Sequence, residues 1–162
     1  MIGNDVVDLE LAKTESNWKR KGYLDKLYTP SEQNLIKNAP DQDEMVWLLW
    51  SIKESVYKAY QRINYNPGFY PIKIEIQSVE LINNKYESVI YLFETCFYGK
   101  STITDSIIKT VVVQGKNDFF KIIFLDSVAY IKNENGLPIE ESSGKPISVS
   151  HHGRAKVIVG FR

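Results

Sequence analysis

Asp41-Gln42-Asp43-Glu44-Met45-Val46-Trp47-Leu48-Leu49-Trp50-Ser51-Ile52-Lys53-Glu54-Ser55-Val56-Tyr57-Lys58-Ala59-Tyr60-Gln61-Arg62-Ile63 is the stretch around which the rest of the chain is organised. Val46, Leu49, Ile52, Val56 and Tyr60 recur at intervals of three and four, the repeat of one buried helical face. Pro40 stops the preceding element and Asp41 with Glu44 forms an acid-x-x-Glu cap, so the longest helix is predicted over residues 42–63. Upstream, Thr29-Pro30-Ser31-Glu32 combines a capping hydroxyl, a proline at the first helical position and the glutamate of a capping box, which predicts a short helix to about Asn38. Before that, Ile2 to Leu9 reads as a strand ending in acid, and Glu10 to Lys21 as a polar helix closed by Gly22.

Downstream of Asn64-Tyr65-Asn66-Pro67-Gly68 the period changes from helical to alternating. Ile72, Ile74 and Ile76 predict a half-buried strand, and Asn83-Asn84 a turn between Val79–Ile82 and Tyr86–Phe93. Thr102–Val113 and Phe119–Leu125 flank Gly115-Lys116-Asn117-Asp118 and read as a hairpin. Residues 133–146 form a loop region, followed by strands at Ile147–Ser150 and Lys156–Phe161, with His151-His152-Gly153 in the bend. Helices followed by mainly antiparallel strands predict an α+β fold, one long helix packed on the sheet, as a single domain over residues 1–162.

The 162 residues carry 20 Lys+Arg and 20 Asp+Glu, with 25% charged and 43% hydrophobic residues, the composition of an ordinary globular chain. Zero net charge and the lack of a long Lys/Arg-rich run argue against nucleic acid or a membrane surface as partner, so an anionic ligand must be held by a local cluster. Cys96 is the one cysteine and has no partner for a disulfide or a thiolate metal site, and no apolar run approaches ~18 residues, so a cytoplasmic location is expected.

Three segments hold more polar function than folding needs. In Ile2-Gly3-Asn4-Asp5-Val6-Val7-Asp8, a carboxylate in an apolar strand needs a cation or donor beside it; Asp5 and Asp8 as caps of the following turn is the alternative. In the long helix, Glu54, Lys58 and Arg62 follow one another a turn apart, on a stripe that also carries Trp47, Trp50 and Tyr57. Such a stripe suits a metal ion followed by phosphate oxygens, or else is a surface ion pair worth roughly 0.3–0.5 kcal/mol beside core aromatics. In Ser148-Val149-Ser150-His151-His152-Gly153-Arg154, adjacent histidines point apart and make a poor chelate. A histidine among serine hydroxyls suits a phosphate, and a plain surface role stays open.

Taken in order, Gly3-x-Asp5, Thr29-x-x-Glu32, Trp50-Ser51-x-Lys53-Glu54-x-x-x-Lys58 and Ser148-x-Ser150-His151 resemble the 4′-phosphopantetheinyl transferase superfamily. The order, and Asn135-Gly136-x-Pro138, are similar to the short holo-acyl-carrier-protein synthase branch. The longer branch has a second acid where this chain has Val7, and the short branch an Arg-Phe pair where this chain has Leu49-Trp50-Ser51. The resemblance implies Mg²⁺-dependent transfer of the 4′-phosphopantetheine arm of coenzyme A to a serine of an acyl carrier protein, as in fatty acid biosynthesis, releasing 3′,5′-ADP. It implies Asp5 and Glu54 as metal ligands, Glu54 and Lys58 as catalytic groups, and Lys58, Arg62, Ser150 and His151 as phosphate contacts. It also implies a homo-oligomer, with a trimer preferred. A non-catalytic coenzyme A or carrier-protein binding domain of the same fold is the alternative.

Overall fold

The computed structural model describes all 162 residues. β1 (Ile2–Asp8) leads into α1 (Leu9–Glu15), α2 (Tyr23–Leu27), α3 (Pro30–Asn38) and the long α4 (Gln42–Gln61). β2 (Ile74–Ile82), β3 (Lys85–Leu92), β4 (Thr95–Thr104) and β5 (Ile107–Val113) then build an antiparallel sheet in the order β1-β5-β4-β3-β2. β6 (Ile122–Leu125), β9 (Ile147–His152) and β10 (Ala155–Phe161) form a second sheet ordered β6-β10-β9, and β7 (Tyr130–Lys132) pairs with β8 (Pro138–Glu140).

The apolar face of α4 lies on the larger sheet: Val46, Leu49, Ile52 and Val56 are fully buried in one cluster with Ile90, Phe97, Ile108 and Val112. On the opposite face Ile2, Val111 and Val113 pack against Val159 of the second sheet. β1 is therefore enclosed on both sides, which explains why all seven of its residues are buried. The helix starts follow the capping chemistry of the sequence. Asp41 accepts from Glu44 N, and Thr29 and Glu32 complete a reciprocal capping box.

Several expectations are corrected. The helix expected over Glu10–Lys21 stops early: Asp8 accepts from Glu10 N and starts α1, which ends at Glu15, and Gly22, at φ 80°, does not close that helix but precedes a separate one, α2. Ile72 lies in a 3₁₀ turn over Pro71–Lys73 instead of in the strand, because Lys53 Nζ gathers the carbonyls of Pro71 and Ile74. Thr102–Val113 is interrupted by a hairpin turn at Asp105-Ser106, both at positive φ, and so belongs to β4 and β5. Gly115–Asp118 makes no hairpin. Both sides of β5 are already occupied, by β1 and β4, so the chain passes through a 3₁₀ segment and β6 joins the other sheet. The last bend falls at Gly153-Arg154, which leaves His151 and His152 within β9.

Candidate active site

β9 crosses the edge of β1 that β5 leaves free, and it supplies acceptors through its side chains. The amides of Asn4, Val6 and Asp8 donate to Ser148 Oγ at 2.9 Å, Ser150 Oγ at 3.1 Å and His152 Nδ1 at 2.9 Å. Alternate residues of one strand thus satisfy alternate amides of the other. Because Asp8 N–H must donate, Nδ1 of His152 is the acceptor nitrogen; the ring proton is on Nε2 and is given to Glu15 at 3.0 Å. Asp8 itself caps α1 and receives Arg154 through Nε at 2.8 Å and Nη2 at 3.0 Å, which holds its carboxyl far below the usual range.

On the face of β1 turned to α4, Asp5 Oδ1 accepts from Ser150 Oγ at 3.0 Å and from Lys58 Nζ at 3.2 Å, and Lys58 also donates to Asn4 O at 2.9 Å. Gly3 makes this proximity possible. A Cβ there would overlap the carbonyl oxygen of Ser55 and stand 2.6 Å from Ala59 N. Burial raises the Asp5 carboxyl against the pull of Lys58 and Ser150. One turn before Lys58, Glu54 is pushed up to about 7, first by burial and then by the negative charge of Asp5. Two carboxylates held beside one another in a partly dry site, with one lysine to offset them, form an oxygen site short of positive charge. That donor set fits a hard divalent cation such as Mg²⁺, which takes one or two protein carboxylates and completes its shell with water or phosphate. Val7, at the position of the longer branch's second acid, is buried in the apolar core and offers no third carboxylate.

A groove of about 230 Å³ opens beside Lys58, lined among others by Tyr57, Arg62, Tyr65, Leu137 and Pro138. Arg62 lines it while Nη2 donates to Pro138 O at 2.6 Å and Ile147 O at 2.7 Å, tying the end of α4 to the Asn135-Gly136-x-Pro138 turn. His151 is exposed and lies on the face of β9 opposite Ser150, so one chain does not bring it to Asp5. Of the stripe aromatics, Trp47 is buried in the core, while Trp50 and Tyr57 stack edge-on against Phe69.

The sequence profile of the 4′-phosphopantetheinyl transferase superfamily matches residues 1–103, a span that includes Gly3, Asp5, Glu32, Glu54 and Lys58. The chain belongs to this superfamily. Ser150 and His151 lie beyond the matched span of the phosphopantetheinyl transferase profile. The fold is similar to solved structures of two holo-[acyl-carrier-protein] synthases. Helicobacter pylori holo-[acyl-carrier-protein] synthase, in complex with coenzyme A, is 20% identical at a TM-score of 0.55, covering 71% of this chain and all of that one. Thermotoga maritima holo-[acyl-carrier-protein] synthase is 18% identical at a TM-score of 0.51, covering 90% and 83%. No curated protein matches the sequence.

Two features escaped the sequence. His152 was hidden behind the more suggestive His151, although the alternation Ser148, Ser150, His152 was its signal. Lys53 gives no outward sign of burial, yet it is fully buried and paired with Glu32 at 2.6 Å.

Proposed function

We propose that this phosphopantetheinyl transferase moves the 4′-phosphopantetheine arm of coenzyme A onto a serine of an acyl carrier protein. The serine oxygen forms a bond to the β-phosphorus, the pyrophosphate P–O bond breaks, and 3′,5′-ADP leaves with the electron pair. The observation that carries this reading is the convergence of Asp5, bonded to Lys58 at 3.2 Å, with Glu54 one helical turn before Lys58, its carboxyl raised by burial and by the negative charge of Asp5. Glu54 takes the serine proton and Lys58 offsets charge gathering on the departing phosphate. Asp5 and Glu54 would hold Mg²⁺, which supplies Lewis-acid polarisation of the phosphoryl oxygens when bound.

The groove beside Lys58 suits an anion with an organic body: Lys58 and Arg62 stand at its charged side and Tyr57, Tyr65 and Leu137 along its wall. His151 faces away from its own Asp5, and this supports a homo-oligomer, a trimer by likeness to the short branch, in which His151 meets phosphate at a neighbour's site. Incubation with coenzyme A, Mg²⁺ and a panel of apo carrier proteins, followed by mass spectrometry, tests the proposal. The expected result is addition of one phosphopantetheine arm, lost in Asp5→Ala, Glu54→Ala and Lys58→Ala proteins that remain folded. Binding of coenzyme A and carrier by the wild type without mass transfer would establish the non-catalytic alternative instead.

A further inference from the structure

We propose that Ser150 is a positioning residue for Asp5 and not a phosphate contact: its hydroxyl fixes the Asp5 carboxylate that is to hold the cation. The inference rests on the reading of Asp5 as a metal ligand. A serine hydroxyl has one proton and two lone pairs. In Ser150 the proton is directed at Asp5 Oδ1, 3.0 Å away, and one lone pair is taken by the amide of Val6 at 3.1 Å. Phosphate oxygens at neutral pH mainly accept, so to serve one Ser150 would have to withdraw its proton from a carboxylate that is 8% exposed. Ser150 is itself buried, at 6% exposed.

Ser148 and His152 share the amide-accepting role, but neither reaches a carboxylate of the site. The distinguishing feature of Ser150 is therefore its second bond. That bond and the one from Lys58 both end on Oδ1, with the Ser51 side chain a further neighbour of the carboxyl, and together they set the plane in which the carboxylate is presented. Groups behind a ligand that orient it in this way are worth 10–100-fold in metal affinity.

Titration of the protein alone with Mn²⁺, following the free ion by electron paramagnetic resonance, separates the roles. Ser150→Ala should weaken Mn²⁺ binding about 10–100-fold. Ser150→Thr, which keeps the hydroxyl, should stay within about threefold of wild type, and so should Ser148→Ala, which removes an amide acceptor from the same strand without touching Asp5. Thermal unfolding reports whether Ser150→Ala folds; if it does not, Ser150→Cys, which keeps the volume and weakens the donor, replaces it. Unchanged Mn²⁺ affinity in the Ala or Cys variant overturns the inference, as does an equal loss in Ser148→Ala, which would make the effect one of strand support. Failure of the wild type to take up Mn²⁺ overturns the metal reading of Asp5 and Glu54 and the inference with it.

Discussion

Gly3→Ala is the smallest change that separates the two elements carrying the site. The added methyl overlaps the carbonyl oxygen of Ser55 and lies 2.6 Å from Ala59 N, and both obstacles are backbone atoms of α4, so no side-chain rotation relieves the contact. β1 and α4 must move apart by roughly an ångström, yet the strand is fixed on its other face by the packing of Ile2 on Val111, Val113 and Val159. Overpacking of this kind costs about 3 kcal/mol at the upper end of the usual range. For a chain of this size that lowers the melting temperature by roughly 6–12 °C. Asp5, two residues along β1, is carried away from Lys58 and Glu54, and a displacement near 1 Å between reacting groups costs about 100-fold in rate. Circular-dichroism melts together with single-turnover transfer measure both effects. Gly22→Ala is the control: Gly22 has positive φ but open space around it, so it should cost about 1 kcal/mol and leave turnover intact. A Gly3→Ala protein that melts within 2 °C of wild type, as an order of magnitude for experimental scatter, and turns over normally would refute the claim that close approach of β1 to α4 forms the site.

Lys53→Met leaves Glu32 charged and buried, so urea unfolding should show a loss of about 3–5 kcal/mol, and the Lys53→Met/Glu32→Met double variant should lose less than the two single changes added together. For Asp8, whose carboxyl is depressed by Arg154, the contribution to stability is complete above the unfolded value near pH 4 and is lost as pH falls further. Asp8→Asn should therefore be less stable than wild type at pH 7, with the gap closing in melts taken progressively below about pH 4. Inactive Glu54→Ala and His151→Ala proteins, dissociated and reassembled together, should regain part of the transfer activity through hybrid sites; confirmed mixing without rescue would rule out a shared site.

The parts of the site governed by local spacing were legible in the sequence. Glu54 and Lys58 are a turn apart, and Asp41 and Thr29 have the chemistry of caps. What depends on distant partners was not. Glu32 reads as a capping-box acid and is one, but its Oε1 also accepts from Ile76 N and its Oε2 pairs with Lys53, contacts made across 44 and 21 positions. The Asp105-Ser106 hairpin turn carries neither glycine nor asparagine, so its two positive φ values, 53° and 60°, rest on the weaker turn preference of Asp and Ser. The register that selects Ser150 and His152 for β1 and turns His151 outward depends on β9 running through His152, which is fixed by the distant partner β1 and not by local spacing.

The acceptors laid along β1 also bear on how the protein behaves when crowded. An open strand edge invites another chain to pair with it, the usual route to edge-to-edge aggregation. Here the outer amides of β1 are occupied by two hydroxyls and an imidazole. At the other margin of the sheet, the amide of Ile76 in β2 is occupied by Glu32, close to a break in register between Ile76 and Ser78. The β1 margin is thus stoppered by side chains that cannot propagate a ladder, and the β2 margin is stoppered at Ile76. The far end of β2, where Leu81 and Ile82 stand 61% and 42% exposed, is left as the adhesive corner, and a charge introduced at Leu81 would improve solubility well away from Asp5.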